Sequence, residues 1–106
     1  SCAEVMRYCQ MRNWTRMMLC GVSDLAEIAS LRALQHGIEI VGVYDRNHES
    51  ERFLDKDVFV SLEHCAEFEV CLVTDLTDPH ATFNHLVEIL DAERIVVPSI
   101  LGLKND

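Results

Sequence analysis

Three short segments carry residue types at spacings that suit chemistry. Gly21-Val22-Ser23-Asp24-Leu25-Ala26 has the form G-x-S-x-x-A, close to the G-x-G-x-x-G/A phosphate turn. Gly21 permits a tight turn, and Ala26 is small enough to let a following helix lie close to a sheet. The free N–H groups and partial positive charge of a helix N-terminus there suit a phosphate. Ser23 in the middle position limits backbone approach but adds a hydroxyl donor, and Asp24 works against an anion. Asp45 follows twenty-four positions after Gly21. A carboxylate at that spacing accepts hydrogen bonds from both hydroxyls of a ribose. Arg46 beside it suits a ribose phosphate or the face of a base, although Asp45-Arg46-Asn47-His48 also reads as a plain polar turn. In Thr74-Asp75-Leu76-Thr77-Asp78-Pro79-His80, Thr74 and Thr77 offer hydroxyls to a phosphate or ribose, and Asp78 suits a helix cap. His80 falls in the first helical turn and reads as a solvated histidine. The candidate ligand-binding residues are therefore Gly21, Val22, Ser23, Asp24, Leu25, Asp45, Arg46, Thr74 and Thr77.

These residues must be positioned by regular elements. Cys2, Val5, Met6 and Cys9 recur at helical spacing over residues 2 to 13. Arg16 to Gly21 is a short apolar run stopped by glycine, which predicts a buried strand. Ser23 or Asp24 caps the next helix, whose apolar side is expected to be Leu25, Ile28, Ala29, Leu31, Arg32 and Leu34, with Gly37 as its stop. Ile38 to Tyr44 is the second strand and residues 46 to 56 a charged loop. Val58 to Val60 is a short strand, and Ser61 to Glu67 a short helix capped by Ser61. Glu69 to Thr74 is a further strand. The helix after it starts at Thr77-Asp78-Pro79, since proline at the first helical position costs no hydrogen bond, and runs to about Asp91. Arg94 to Val97 is the last strand, and residues 98 to 106 hold no complete element.

Strands rich in Val, Ile and Leu without alternation are covered on both faces. Alternation of strands and helices with short links predicts an α/β fold with right-handed crossovers. The expected architecture is a parallel sheet of four to five strands in the order 3-2-1-4-5, half of a doubly wound fold with helices on both faces. In such sheets ligands sit beyond the carboxyl ends of the strands where the order reverses, which selects the three segments above.

Composition excludes several classes. The chain has 106 residues, 49% apolar and 25% charged, enough for one small domain and too apolar for a disordered tail. No apolar run approaches the roughly 20 residues of a membrane span, and the opening residues do not read as a signal peptide. Eighteen acids face nine basic residues, a net charge of -9, which disfavours direct binding to nucleic acid. Before Asp24 the balance is +2 and from Asp24 onward -11, so the basic start reads as a solvated helix face or a connector to a basic partner domain. Residues 1–15 are accordingly read as an N-terminal helix or connector, and 16–106 as the ligand-binding domain. Five cysteines without a C-x-x-C indicate neither a disulfide framework nor a zinc knuckle and fit a reducing cytoplasmic compartment. His64 and Cys65, adjacent on a helix, would diverge, so no metal is expected. The two lysines, Lys56 and Lys104, are not placed for catalysis, and no nucleophile and base pair can be assigned.

Residues 17 to 103 resemble Rossmann-like nucleotide-binding domains at the start of nucleotide-sugar-modifying enzymes, including sugar acetyltransferases and polysaccharide-synthesis dehydratases. Leu19-Cys-Gly-Val-Ser, Ile40-Val-Gly-Val-Tyr-Asp45 and Val58-Phe-Val-Ser-Leu-Glu63 carry that likeness. Val70-Cys-Leu-Val-Thr-Asp with Asp78-Pro-His80 is also similar to glucose–fructose oxidoreductase relatives and to the CoA-binding-like domain of redox-sensing repressors. The departures are specific. Val97-Pro98-Ser99 stands where the oxidoreductases have Glu-Lys-Pro, no Tyr-x-x-x-Lys is present, and the acid pair of receiver domains is missing. The resemblance implies a non-catalytic sensor or regulatory domain of a larger protein, such as a transcriptional regulator, binding NAD(H) or another adenine or uridine nucleotide. A homodimer contact through the N-terminal helix and Met17-Met18 belongs to this reading. The alternative is the nucleotide-binding half of an NAD-dependent or nucleotide-sugar-modifying enzyme. A third is a vestigial scaffold that only dimerises.

Overall fold

The computed structural model describes residues 2–101. Helix α1 (Cys2–Met11) leads into strand β1 (Arg16–Cys20), followed by α2 (Asp24–Gln35) and β2 (Glu39–Tyr44). A hairpin of β3 (Arg52–Phe53) and β4 (Lys56–Phe59) precedes β5 (Val70–Val73), α3 (Pro79–Ile89) and β6 (Ile95–Val96). The fold is α/β, with the strands in the order β3-β4-β2-β1-β5-β6. β1 lies at the centre, parallel to β2 on one side and β5 on the other. Met17, Met18, Leu19 and Cys20 are wholly buried, which explains why this strand shows no polar alternation.

The sheet departs from the expected all-parallel sheet of four or five strands: among the described residues it has six and is mixed. The difference lies in the charged segment read as a loop. Arg52 pairs across the hairpin with Asp57 at 2.6 Å and also donates to the Asp55 carbonyl. Leu54 turns the chain with a left-handed φ of 59°. Charge there closes a hairpin rather than solvating a coil.

Helices α1 and α2 cover one sheet face and α3 the other. Cys2, Val5, Met6 and Cys9 of α1 join the same core as α2 and β1, so α1 packs as part of this core. Arg12, in the turn just after α1, stacks on Trp14, 4.5 Å from the ring centroid. Met17 and Met18 lie inside the sheet and present nothing to a partner. The inner face of α2 also differs from expectation. Ala26, Ala29 and Ala33 are fully buried with Leu25, whereas Ile28, Leu31 and Leu34 face outward. The small side chains let α2 approach both the sheet and α1, and the large ones are left outside. Leu31→Ala and Leu34→Ala are therefore expected to change stability by less than about 0.5 kcal/mol each in denaturant titrations. A loss of 2 kcal/mol or more, about that of a buried leucine, would contradict this placement.

The segment 61–67 is a turn and not a helix. The Ser61 hydroxyl accepts the Glu63 N–H only two residues on, a turn that competes with helix initiation. Arg16 and Arg94 then hold the following backbone, donating to the carbonyls of Glu67, Phe68 and Glu69. The Glu69 carboxylate accepts from the Thr15 and Arg16 amides, which holds its pKa below the usual carboxylate value, the Thr15 amide contributing most. Beyond β6, Ser99–Leu101 forms one 3-10 turn, and the remainder of the expected unstructured end lies outside the described residues. No helix among the described residues is long and apolar enough to cross a membrane.

Candidate functional site

The loops after β1, β2 and β5 meet at the carboxyl ends of the central strands. Gly21 leaves β1 with φ +120°, and its amide donates to the Tyr44 carbonyl. A Cβ at Gly21 would lie 2.5 Å from the backbone of Asp75, so glycine is required for the first and third loops to touch. Two hydroxyl bonds fasten that contact. The Ser23 hydroxyl donates to the Thr74 carbonyl, and the Thr74 hydroxyl donates to the Gly21 carbonyl at 2.6 Å. Ser23 also caps α2 by accepting the Ala26 N–H, and Asp78 caps α3 by accepting the Ala81 N–H.

Asp45 links the first loop to the second. One carboxylate oxygen accepts the Val22 N–H at 2.9 Å and the other the Asn47 N–H at 3.0 Å. Asp75 is satisfied similarly by the Thr77 and Asp78 amides and by the Thr82 hydroxyl. Gly21, Asp45, Arg46 and Asp75 line one crevice together with Tyr44, Asn47, Thr82 and His85. Its volume is about 30 Å³, roughly the share of one water in the liquid.

The structure thus brings Gly21, Val22, Asp45 and Arg46 together. Ser23 and Thr74 stand beside them, but their hydroxyls are used between the loops. Asp24 is exposed in the first turn of α2, Leu25 is buried in the core, and Thr77 is exposed, with its amide on Asp75. Neither Asp24 nor Thr77 lines the crevice.

Sequence reasoning missed a pair in the same place. The Tyr44 hydroxyl and His85 Nε2 are 2.7 Å apart, and the two rings stack with centroids separated by 5.9 Å. Burial raises the Tyr44 pKa and lowers that of His85, and the nearby Arg46 charge adds to the second shift. The signal available was Pro79: it fixes the start of α3, and Thr82 and His85, three apart, then fall on one helical face. Tyr44 and His85 also line a larger groove of about 900 Å³ between α3 and the 60–69 segment.

No disulfide joins any of the cysteines among the described residues, and burial pushes the Cys9 thiol up to about 11. Among the described residues no group of three or more His, Cys, Asp or Glu is arranged to hold a metal ion. No family model, curated protein or solved structure matches the chain.

Proposed function

We propose that this chain is a non-catalytic sensor or regulatory domain of a larger protein that binds a nucleotide-type small molecule in the crevice above β1, β2 and β5. With the short β3 set aside, the parallel strands taken in chain order lie 3-2-1-4-5, which favours half of a doubly wound, Rossmann-like sheet. The observation that carries the functional reading is the hydrogen bond from the Val22 N–H to Asp45. It brings the turn after β1 and the acid after β2 to one crevice, where strand order reverses. Each Asp45 oxygen accepts a single amide bond from the chain and keeps acceptor capacity for a ribose hydroxyl. Binding requires the loops 45–48 and 75–78 to part, because the closed crevice holds only about 30 Å³.

Thermal unfolding with NAD, NADH, NADP, CoA, ATP and UDP-sugars tests this reading. A ligand at 100 times its Kd is expected to stabilise the domain by about 2.7 kcal/mol. Asp45→Asn keeps an oxygen to accept the Val22 N–H, gives up the acceptor for the Asn47 N–H, and is expected to stay folded while losing most of that stabilisation. An unchanged ligand response in this variant, or no response to any of these compounds, would contradict the proposal.

A further inference from the structure

A ligand phosphate has little to gain from the turn after β1. The Val22 N–H is taken by Asp45, the Ser23 hydroxyl is turned to Thr74, and the Asp75 backbone stands against Gly21. Among the described residues, Arg46 is the one arginine or lysine in the loops that follow the parallel strands. It is exposed and forms no ion pair there. Its guanidinium lies near enough to Tyr44 and His85 to influence the protonation of both. Arg46, His85 and Tyr44 line the same crevice, and the Tyr44 hydroxyl meets His85 Nε2 at 2.7 Å, so a guanidinium without a carboxylate partner, an imidazole and a phenol hydroxyl border one space. The two carboxylates of the crevice, Asp45 and Asp75, are met by N–H and O–H donors of the three loops and of α3.

We propose that Arg46, His85 and the Tyr44 hydroxyl form a phosphate subsite at the seam between the crevice and the groove beside α3. This rests on the nucleotide reading above and names where that ligand's phosphate goes. Arg46 supplies the fixed charge and a planar fork of donors, and Tyr44 donates its hydroxyl once a stronger acceptor than His85 arrives. His85 then takes a proton from solvent and donates in turn. The groups around His85 define the balance. Arg46 disfavours its protonation, and Glu88 on the same helix favours it. Tyr44 bonds it, and Asp45 and Asp75 share the crevice. A bound dianion reverses the effect of Arg46.

The experiment follows the His85 imidazole by NMR through a pH titration, with inorganic phosphate, AMP or adenosine present. Phosphate and AMP are expected to raise its midpoint by roughly one pH unit, and adenosine to leave it unmoved. Arg46→Gln, a surface change, is expected to raise the midpoint of the free protein and to cancel the rise caused by phosphate or AMP. Tyr44→Phe is expected to weaken AMP binding roughly tenfold. A His85 midpoint that neither phosphate nor AMP moves would overturn the subsite. If AMP still binds in an Asp45-dependent way in that case, the nucleotide reading stands alone. If phosphate and AMP both move His85 but Asp45→Asn leaves AMP affinity unchanged, the subsite stands and the nucleotide reading falls.

Discussion

Gly21→Ala is expected to destabilise the protein by at least about 3 kcal/mol, the largest effect of any methyl-sized change at the site. Two costs add. The left-handed φ of +120° is one that a residue with a Cβ rarely adopts. The new Cβ would also meet the Asp75 N and Cα at 2.5 Å, and these are backbone atoms that cannot swing aside. Relief requires the loop after β5 to move away from the loop after β1, which would break both hydroxyl bonds between them. Urea unfolding of the variant measures this. A loss below 1 kcal/mol would mean that the two loops do not touch as described.

Thr74→Val is expected to cost about 1–3 kcal/mol although the two side chains are nearly the same size. Thr74 is fully buried, and its hydroxyl is held by the Gly21 carbonyl at 2.6 Å. Valine removes the donor and leaves that carbonyl without its side-chain partner. Ser23→Ala removes the reciprocal bond and the α2 cap, at about 0.5–2 kcal/mol. The two bonds fasten the same pair of loops, so the double variant is expected to deviate from additivity by 0.5 kcal/mol or more. Additive losses in a double-mutant cycle would show the bonds to be independent, and each loop would then hold its shape alone.

Much of the scaffold was legible because local chemistry and burial agree. Gly21, Ser23, Asp78 and Pro79 mark turns and caps by their own backbone and side-chain preferences, and the structure uses them there. The inner face of α2 was not legible from hydrophobicity. Ala29 and Ala33 are chosen by how closely α1 and the sheet approach, a tertiary constraint that outweighs the greater apolarity of Leu31 and Leu34. The segment 61–67 was misread because its composition suits a helix, while Arg16 and Arg94 hold its end from elements that lie far away in sequence. At the site, Asp45 was identifiable by its spacing from Gly21. The inward turn of the Ser23 and Thr74 hydroxyls was not, since it depends on which loop lies opposite. The pairing of Tyr44 with His85 joins residues 41 positions apart and becomes visible only once α3 is laid across the sheet.

The most direct test of the account is a ¹H–¹⁵N NMR titration of the intact chain with the nucleotide that stabilises it most. The account predicts that the amides of Val22, Arg46, Asn47 and Asp75 shift together with a single affinity, because they belong to loops that part around one ligand. Shifts confined to other residues lining the α3 groove, at Leu62, Phe68 and Ile89, with Val22 and Asn47 unmoved, would contradict it.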